Sequence, residues 1–215
     1  MRPTATELGP GTTSDPAAGL GGEADSPEAQ GMDVAIAGPQ KCLGGPPGLS
    51  LMAISPDAWK AMENHKSPVR GSFLSILDWK YTWLEKKVFP YTPSVSDLYA
   101  LESVLSQVLE EGVEQYAARH EAIAKACRAD CEEIVGSSVT GVKFPNGITD
   151  AQLRGHIRDR YGVMISGGYG DLAGQLFRLG HMGMAAHPTY LAAQLAILER
   201  SLLDLGHKVV ETGIF

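Results

Sequence analysis

The sequence is poor in cysteine, in positive charge and in long apolar runs, and each shortage excludes a class of protein. Its 215 residues include three cysteines, too few for a disulfide framework and typical of a reducing compartment. Lys and Arg number 18 against 25 Asp and Glu, which argues against nucleic acid or an anionic membrane as the main partner. No apolar run approaches the roughly 20 residues that span a bilayer, and no signal peptide is recognisable. We therefore expect a cytoplasmic protein.

Residues 1–31 differ in composition from the rest of the chain. They are rich in Gly, Pro, Ala, Ser, Thr and acidic residues, and beyond Met1 their only large apolar residues are Leu8 and Leu20. Such a segment buries too little apolar surface to offset the entropy of ordering it. We predict a disordered N-terminal extension over residues 1–31, followed by a folded domain over residues 32–110 and a second over residues 111–215.

Residues 33–54 hold the most distinctive stretch of the chain. An apolar run at residues 34–37 predicts a short buried strand, and residues 49–54 predict its partner. Between them, in the string GPQKCLGGPPG, Lys41 is the one cation among glycines that leave room and prolines that fix φ. Partial burial would favour the neutral, nucleophilic amine of this lysine. On chemistry alone, an ordinary solvated loop lysine is the alternative.

The remaining pattern alternates helices with short strands. We expect His120 to be a core residue rather than a ligand, and Arg154, Arg158 and Arg160 to form a solvated helix face. The elements we predict, in chain order, are a helix from Pro56 capped by Ser55, a helix over 72–87 with an aromatic face, an extended passage over 89–94, two helices meeting at Gly112, a strand over 139–144, a helix from the Thr149 capping box to Tyr161, strands over 163–166 and 176–181, and a helix opening at Pro188.

Arg178 lies inside the apolar strand predicted for residues 176–181. A guanidinium is costly in such a place unless an anion meets it. A carboxylate bound by two parallel hydrogen bonds would supply that partner. The alternative is a structural salt bridge within the chain.

Four strings of the sequence resemble the class V aminotransferases, which are pyridoxal-phosphate (PLP) enzymes of fold type I. The string at residues 38–48 resembles their Schiff-base lysine segment, and the likeness continues in family order through residues 72–79, 91–95 and 176–183. The resemblance implies an α/β fold, with residues 32–110 as a remnant of the PLP-binding large domain. Residues 111–215 would then form the connecting helix and the C-terminal α+β small domain.

The resemblance also implies roles for individual residues. Lys41 would carry the cofactor and move a proton, and Gln40 and Thr92 would bind the cofactor phosphate, Thr92 from across a homodimer interface. Arg178 would bind the substrate carboxylate. The implied cofactor is PLP, or pyridoxal or pyridoxamine as a substrate, and the implied partners are an alanine-like amino acid and a 2-oxo acid such as pyruvate or glyoxylate. For Gln40 and Thr92 the alternative is ordinary loop capping.

Cys127 and Cys131 lie four residues apart on a predicted helix. A metal site at this pair is disfavoured because no second pair of ligands lies nearby.

The sequence departs from the family in two ways. Members are nearly twice as long, so we expect this chain to be the C-terminal portion of an aminotransferase from a truncated, split or mis-started gene. The pyridoxamine–pyruvate branch has an arginine where this chain has Tyr169, which leaves the branch open. The alternatives to an active enzyme are an inactive remnant or partner subunit that needs a separate N-terminal half, and a small binding domain built on residues 137–215.

Overall fold

The computed structural model describes residues 13–14, 19–22, 26, 31–128 and 137–208. The chain forms two compact units whose main division lies between Glu110 and Glu111, and the second unit also includes Gly21 and Gly22. Within the described residues, no helix is both long enough and apolar enough to cross a bilayer.

The first unit contains a three-stranded sheet in which β1 (Thr13–Ser14), β2 (Val34–Ala37) and β3 (Leu51–Ile54) lie in that order. β2 (Val34–Ala37) and β3 (Leu51–Ile54) pair antiparallel, with Val34 opposite Ile54. Every second residue of β2 is buried, as expected for a strand that has one covered face. Both predicted strands are confirmed, although β3 begins at Leu51 and not at residue 49.

The remaining strand of this sheet lies within residues 1–31, for which we predicted disorder. β1 (Thr13–Ser14) runs parallel to β2, with Thr13 opposite Val34 and Ser14 opposite Ala35. Strand pairing joins backbone groups and needs no apolar side chain, so composition did not indicate it. Residues 1–12, 15–18, 23–25 and 27–30, which fall under the same prediction, lie outside the described part of the chain.

Two helices of the first unit begin at serine caps. α1 (Pro56–Glu63) starts as predicted after Ser55, whose hydroxyl accepts a hydrogen bond from the Ala58 amide at 3.1 Å. The helix predicted from residue 72 instead begins as α2 (Ile76–Trp79), because the Ser75 hydroxyl caps it.

α2 continues directly into a wider π-helical turn over Lys80–Leu84. The aromatic face predicted for this region is present, with Trp83 stacked on Phe89 at a ring-centroid distance of 4.3 Å. The unit then runs into α3 (Val95–Glu111).

The loop between β2 and β3 packs on α3 through two of its glycines. A Cβ on Gly45 would lie 3.3 Å from Val104 Cγ2, and one on Gly48 would lie 2.4 Å from Asp97 Oδ2. Asp97 is held there by the Ser94 hydroxyl, which donates to its carboxylate at 2.6 Å. The absence of side chains at these two positions therefore allows the loop to lie against the helix.

The second unit is an α+β fold. Its elements are α4 (Val113–Cys127), β4 (Val139–Lys143), α5 (Asp150–Tyr161), β5 (Ser166–Gly167), β6 (Leu176–Gly180) and α6 (Pro188–Asp204). The three strands form a sheet of order β4-β6-β5 that is antiparallel throughout. The core of the unit includes residues from α4, α5, β6 and α6.

Most boundaries of this unit follow the sequence prediction. Gly112, with φ of 93°, separates α3 from α4, and the Thr149 capping box begins α5. The strand predicted for residues 163–166 is wrong in position, because β5 covers Ser166 and Gly167 only. The carbonyl of Ile165 accepts a hydrogen bond from Arg154 Nε at 2.9 Å and so is directed toward a helix side chain.

His120 is a buried core residue of the second unit, as predicted. Its Nε2 lies 2.9 Å from the Gly183 amide, which can only donate, so Nε2 must be the unprotonated acceptor. Its Nδ1 then carries the hydrogen and donates to the Tyr116 carbonyl at 2.8 Å. Both contacts require the neutral ring. Burial accordingly lowers the pKa of His120, and it also lowers the pKa of the buried His181.

Replacing Gly48 with alanine is expected to lower the free energy of unfolding by about 1 kcal/mol, the net value of one hydrogen bond. The new Cβ would displace the Asp97 carboxylate from the Ser94 hydroxyl. Urea denaturation measures the loss. In an Asp97→Ala background the new Cβ has room, so the same replacement should leave the free energy of unfolding almost unchanged. An equal loss in both backgrounds would contradict the steric explanation.

The free energy of unfolding is expected to fall as the pH drops below about 6.5, the ordinary pKa of histidine. Unfolded histidines take up protons there, whereas the folded His120 and His181, with lowered pKa, do not, so stability rises with pH until both states are neutral. Denaturation from about pH 5 to 8 tests this. His120→Asn should reduce the pH dependence to the part that His181 contributes, and the exposed His65→Asn should preserve it. A wild-type slope in the His120 variant would rule the explanation out.

Candidate active site

The loop at residues 38–48 is closed by hydrogen bonds within its own backbone. The Lys41 amide donates to the Gly38 carbonyl at 3.2 Å, the Gly44 amide donates to the Lys41 carbonyl at 2.9 Å, and the Gly45 amide donates to the Pro39 carbonyl at 2.8 Å. Buried side chains anchor the loop, namely Pro39, Cys42 and Leu43. Prolines that fix φ and these backbone bonds together restrict the conformation of the turn.

Lys41 is half-buried at the centre of this turn. Within the described residues its Nζ takes part in no hydrogen bond or ion pair. The other lysines of the first unit include Lys60, whose Nζ lies 2.9 Å from Asp57, and Lys80, which pairs with Glu63. The Lys41 amine is therefore not committed to a carboxylate of the described chain and is available to a ligand.

Gln40 and Thr92 are both exposed residues of the first unit. The amide of Gln40 folds back over Gly38, with Oε1 2.6 Å and Nε2 2.8 Å from the place that a Cβ on Gly38 would take. Neither Gln40 nor Thr92 forms a side-chain hydrogen bond in the part of the chain that the structure describes. Ordinary loop capping, the alternative for both residues, is thus not what their side chains do.

Arg178 occupies β6 of the second unit, but its environment differs from the sequence expectation. Phe177 and Leu179 are buried whereas Arg178 is exposed, because alternate residues of a strand face opposite sides. The apolar neighbours therefore impose no desolvation on the guanidinium. Its Nε donates to the Gly167 carbonyl at 2.8 Å, and no carboxylate of the described residues lies within 4.0 Å of it. The alternative of a structural salt bridge is not observed.

Arg154 was predicted to lie on a solvated face but is half-buried against β5. Its Nη1 pairs with Asp150 Oδ2 at 2.8 Å, and its Nε binds the Ile165 carbonyl. Arg158 does lie on the solvated face, where it pairs with Asp159. The spacing of four residues between Asp150 and Arg154 was the sequence signal that could have indicated the ion pair.

A buried carboxylate organises the segment before α2. Asp78 accepts hydrogen bonds from Arg70 Nε at 2.6 Å and from the Gly71 amide at 2.7 Å. The bond from Arg70 is the main reason why the pKa of Asp78 is lowered. Because all these partners belong to the protein, we assign Asp78 a structural role.

The described residues contain no group of three or more His, Cys, Asp or Glu side chains that could hold a metal ion. Cys127 is buried at the end of α4. Cys131, the other half of the cysteine pair considered in the sequence, lies outside the described residues.

Known aminotransferases match most of this chain in sequence. The chain is 40% identical over 210 residues to an uncharacterized aminotransferase of Methanocaldococcus jannaschii, and the aligned region covers 93% of this chain and 54% of that protein. It is 39% identical over 206 residues to the pyridoxamine–pyruvate transaminase of Mesorhizobium japonicum, covering 91% and 52%. A serine–glyoxylate aminotransferase of Arabidopsis thaliana is 34% identical over 191 residues, covering 84% and 47%. No protein-family model matches the sequence.

Solved structures of aminotransferases match the chain in fold. The crystal structure of pyridoxamine–pyruvate aminotransferase from Mesorhizobium loti superposes with a TM-score of 0.85 at 39% identity, covering 91% of this chain and 53% of that one. Ureidoglycine–glyoxylate aminotransferase from Bacillus subtilis gives a TM-score of 0.84 at 28% identity, covering 94% and 54%.

The chain thus spans about half the length of the curated relatives that it matches. Sequence and fold agree on the same group of PLP-dependent enzymes. The resemblance stated from the four sequence strings is confirmed at this level. We therefore identify the chain as a homologue, over about half of their length, of the class V aminotransferases of fold type I.

Proposed function

We propose that the chain serves PLP-dependent transamination between an alanine-like amino acid or pyridoxamine and a 2-oxo acid such as pyruvate or glyoxylate. The observation that carries this proposal is the joint agreement with pyridoxamine–pyruvate aminotransferase, at 39% identity and a TM-score of 0.85. Other relatives bear names that pair serine or aspartate with glyoxylate. The shared chemistry is the transfer of an amino group to a small 2-oxo acid.

In this proposal Lys41 would hold PLP covalently through its ε-amine. Two observations support the fit. The amine has no protein partner in the described residues, and it belongs to a turn whose backbone groups hydrogen-bond to one another. PLP, when bound, supplies an electron sink for the negative charge that develops on the substrate Cα. Once the incoming amino group has released Lys41 from the cofactor, the freed amine would carry the proton between that Cα and C4′ of the cofactor, which is general acid–base catalysis.

Gln40 and Thr92 are proposed to donate hydrogen bonds to the cofactor phosphate. Both side chains are exposed and have no partner within the described residues, so their donors are available. The amide of Gln40 adds no charge beside the lysine, and the hydroxyl of Thr92 would act from the partner of a homodimer. With a substrate that lacks the phosphate, both donors would remain solvated.

Arg178 is proposed to bind the carboxylate that the amino acid and the 2-oxo acid share. Its Nε is bound to the Gly167 carbonyl, whereas its two terminal nitrogens have no partner in the described chain. Two parallel hydrogen bonds from these nitrogens to one carboxylate would recognise both substrates of a transamination alike.

A second candidate function is a subunit that acts only with further polypeptide, equivalent to the half of the aminotransferase fold that this chain does not match. Apolar side chains of the first unit favour it, because Phe73 is 73% exposed and Leu74 is 80% exposed. Side chains of this size are usually covered in a working assembly. In this case Lys41 would hold PLP only when the additional half is present.

Reductive trapping of the cofactor tests both candidates. The purified chain is mixed with PLP, reduced with borohydride and digested, and mass spectrometry locates the adduct. We expect the adduct on Lys41, because this lysine is half-buried and its backbone is fixed by the turn, and we expect Lys41→Gln to abolish it. Lys66→Gln, at an exposed lysine of the same unit, is the matched control and should leave the adduct in place.

The same assay separates the two functions when the unmatched half of the Mesorhizobium enzyme is added as a separate polypeptide. An adduct that forms only after this addition supports the second candidate. Labelling spread evenly over exposed lysines, with and without the added half, would refute Lys41 as the attachment site.

A further inference from the structure

Arg178 has one nitrogen bound to the protein and two that are open. Ser166 of β5 lies opposite Arg178 of β6, and the next carbonyl, that of Gly167, accepts the hydrogen bond from Arg178 Nε at 2.8 Å. A guanidinium whose Nε is hydrogen-bonded cannot rotate freely about its Cδ–Nε bond. Its two terminal nitrogens therefore point together at one place. This is the end-on geometry that a carboxylate needs for two parallel hydrogen bonds.

Gly167 is in turn packed against an ion pair on α5. A Cβ on Gly167 would lie 2.8 Å from Arg154 Nη1 and 3.0 Å from Asp150 Oδ1, so the pair occupies the space where a side chain would be. Arg154 also donates through Nε to the Ile165 carbonyl at 2.9 Å. The same guanidinium therefore binds the backbone on one side of Ser166 and contacts it on the other.

Asp150 fixes Arg154 in this position. Both of its carboxylate oxygens accept from Arg154 Nη1, at 3.1 and 2.8 Å, and the two residues are one turn apart on α5. Both side chains are about one-third exposed, and ion pairs with that exposure add little to stability. Their contacts converge on the short segment of residues 165–167, whose last carbonyl orients Arg178.

We propose that Asp150 and Arg154 are positioning residues for the substrate carboxylate, acting through residues 165–167 and the Gly167 carbonyl on Arg178. The proposal rests on the proposed function, in which Arg178 binds the carboxylate of the amino acid and of the 2-oxo acid. It adds that the guanidinium is oriented before the substrate arrives. Loss of the ion pair then weakens carboxylate binding although neither residue touches the substrate.

Nuclear magnetic resonance of the full chain, labelled with ¹⁵N in arginine, tests the proposal. Arg178→Lys assigns the Arg178 Nε–H signal, and pyruvate is the carboxylate probe. In Arg154→Met we expect faster solvent exchange of this Nε–H and pyruvate binding weakened by about fivefold, the factor equivalent to the ~1 kcal/mol net value of one hydrogen bond. Arg158→Met, on the same helix but paired with Asp159, should leave both quantities unchanged.

Two results would overturn the proposal. One is an Arg154→Met variant with a native amide spectrum, an unchanged Nε–H exchange rate and unchanged pyruvate affinity. The other is faster exchange without weaker binding, which would make the ion pair purely structural. If Arg154→Met does not fold, Asp150→Asn and Gly167→Ala disturb the same contacts with smaller changes. The Nε–H exchange rate and the pyruvate affinity are then measured on these two variants.

The experiment also separates this proposal from the proposed function. If pyruvate shifts no Arg178 signal in the wild-type chain, carboxylate binding by Arg178 fails. The exchange rates of the Arg154 and Arg158 variants still decide, in that case, whether the ion pair orients the guanidinium.

Discussion

The backbone of the turn between β2 and β3 satisfies its own hydrogen bonds, and the candidate site of the first unit depends on this. Because Lys41 contributes its amide and its carbonyl to the turn, its position is fixed without any use of its side chain. Gly45 and Gly48 let the same turn lie against α3. A Cβ at Gly48 would meet the Asp97 carboxylate, and one at Gly45 would meet Val104. The Lys41 amine is thus positioned by glycines and backbone groups that take no part in the proposed reaction.

The second unit repeatedly uses arginines to hold backbone carbonyls. Arg119 donates to the carbonyls of Gly183 and Ala186, Arg154 to that of Ile165, and Arg178 to that of Gly167. Arg119 and Arg154 also pair with a carboxylate of the chain. Arg178 has no such carboxylate within the described residues. Three similar side chains therefore differ in one respect, and that difference supports the proposal that Arg178 binds an external anion.

The two units carry complementary parts of the proposed chemistry, an amine in the first and a guanidinium in the second. The match to solved aminotransferases extends over both units but over only about half of each enzyme. In the first unit the exposed ring of Phe73 packs on the half-buried ring of Tyr91 at a centroid distance of 5.5 Å. This mutual packing shields part of their surface, and the remaining exposure is what favours a larger assembly.

The sequence by itself determined the features that arise within a few residues. The cap at Thr149, the break at Gly112 and the turn around Lys41 follow from local backbone preferences, so they were predictable. Only the tertiary structure decided that Arg178 is bound through Nε, and that Thr13 pairs with β2. These outcomes depend on which segments meet across the chain, and local periodicity contains no information about that meeting.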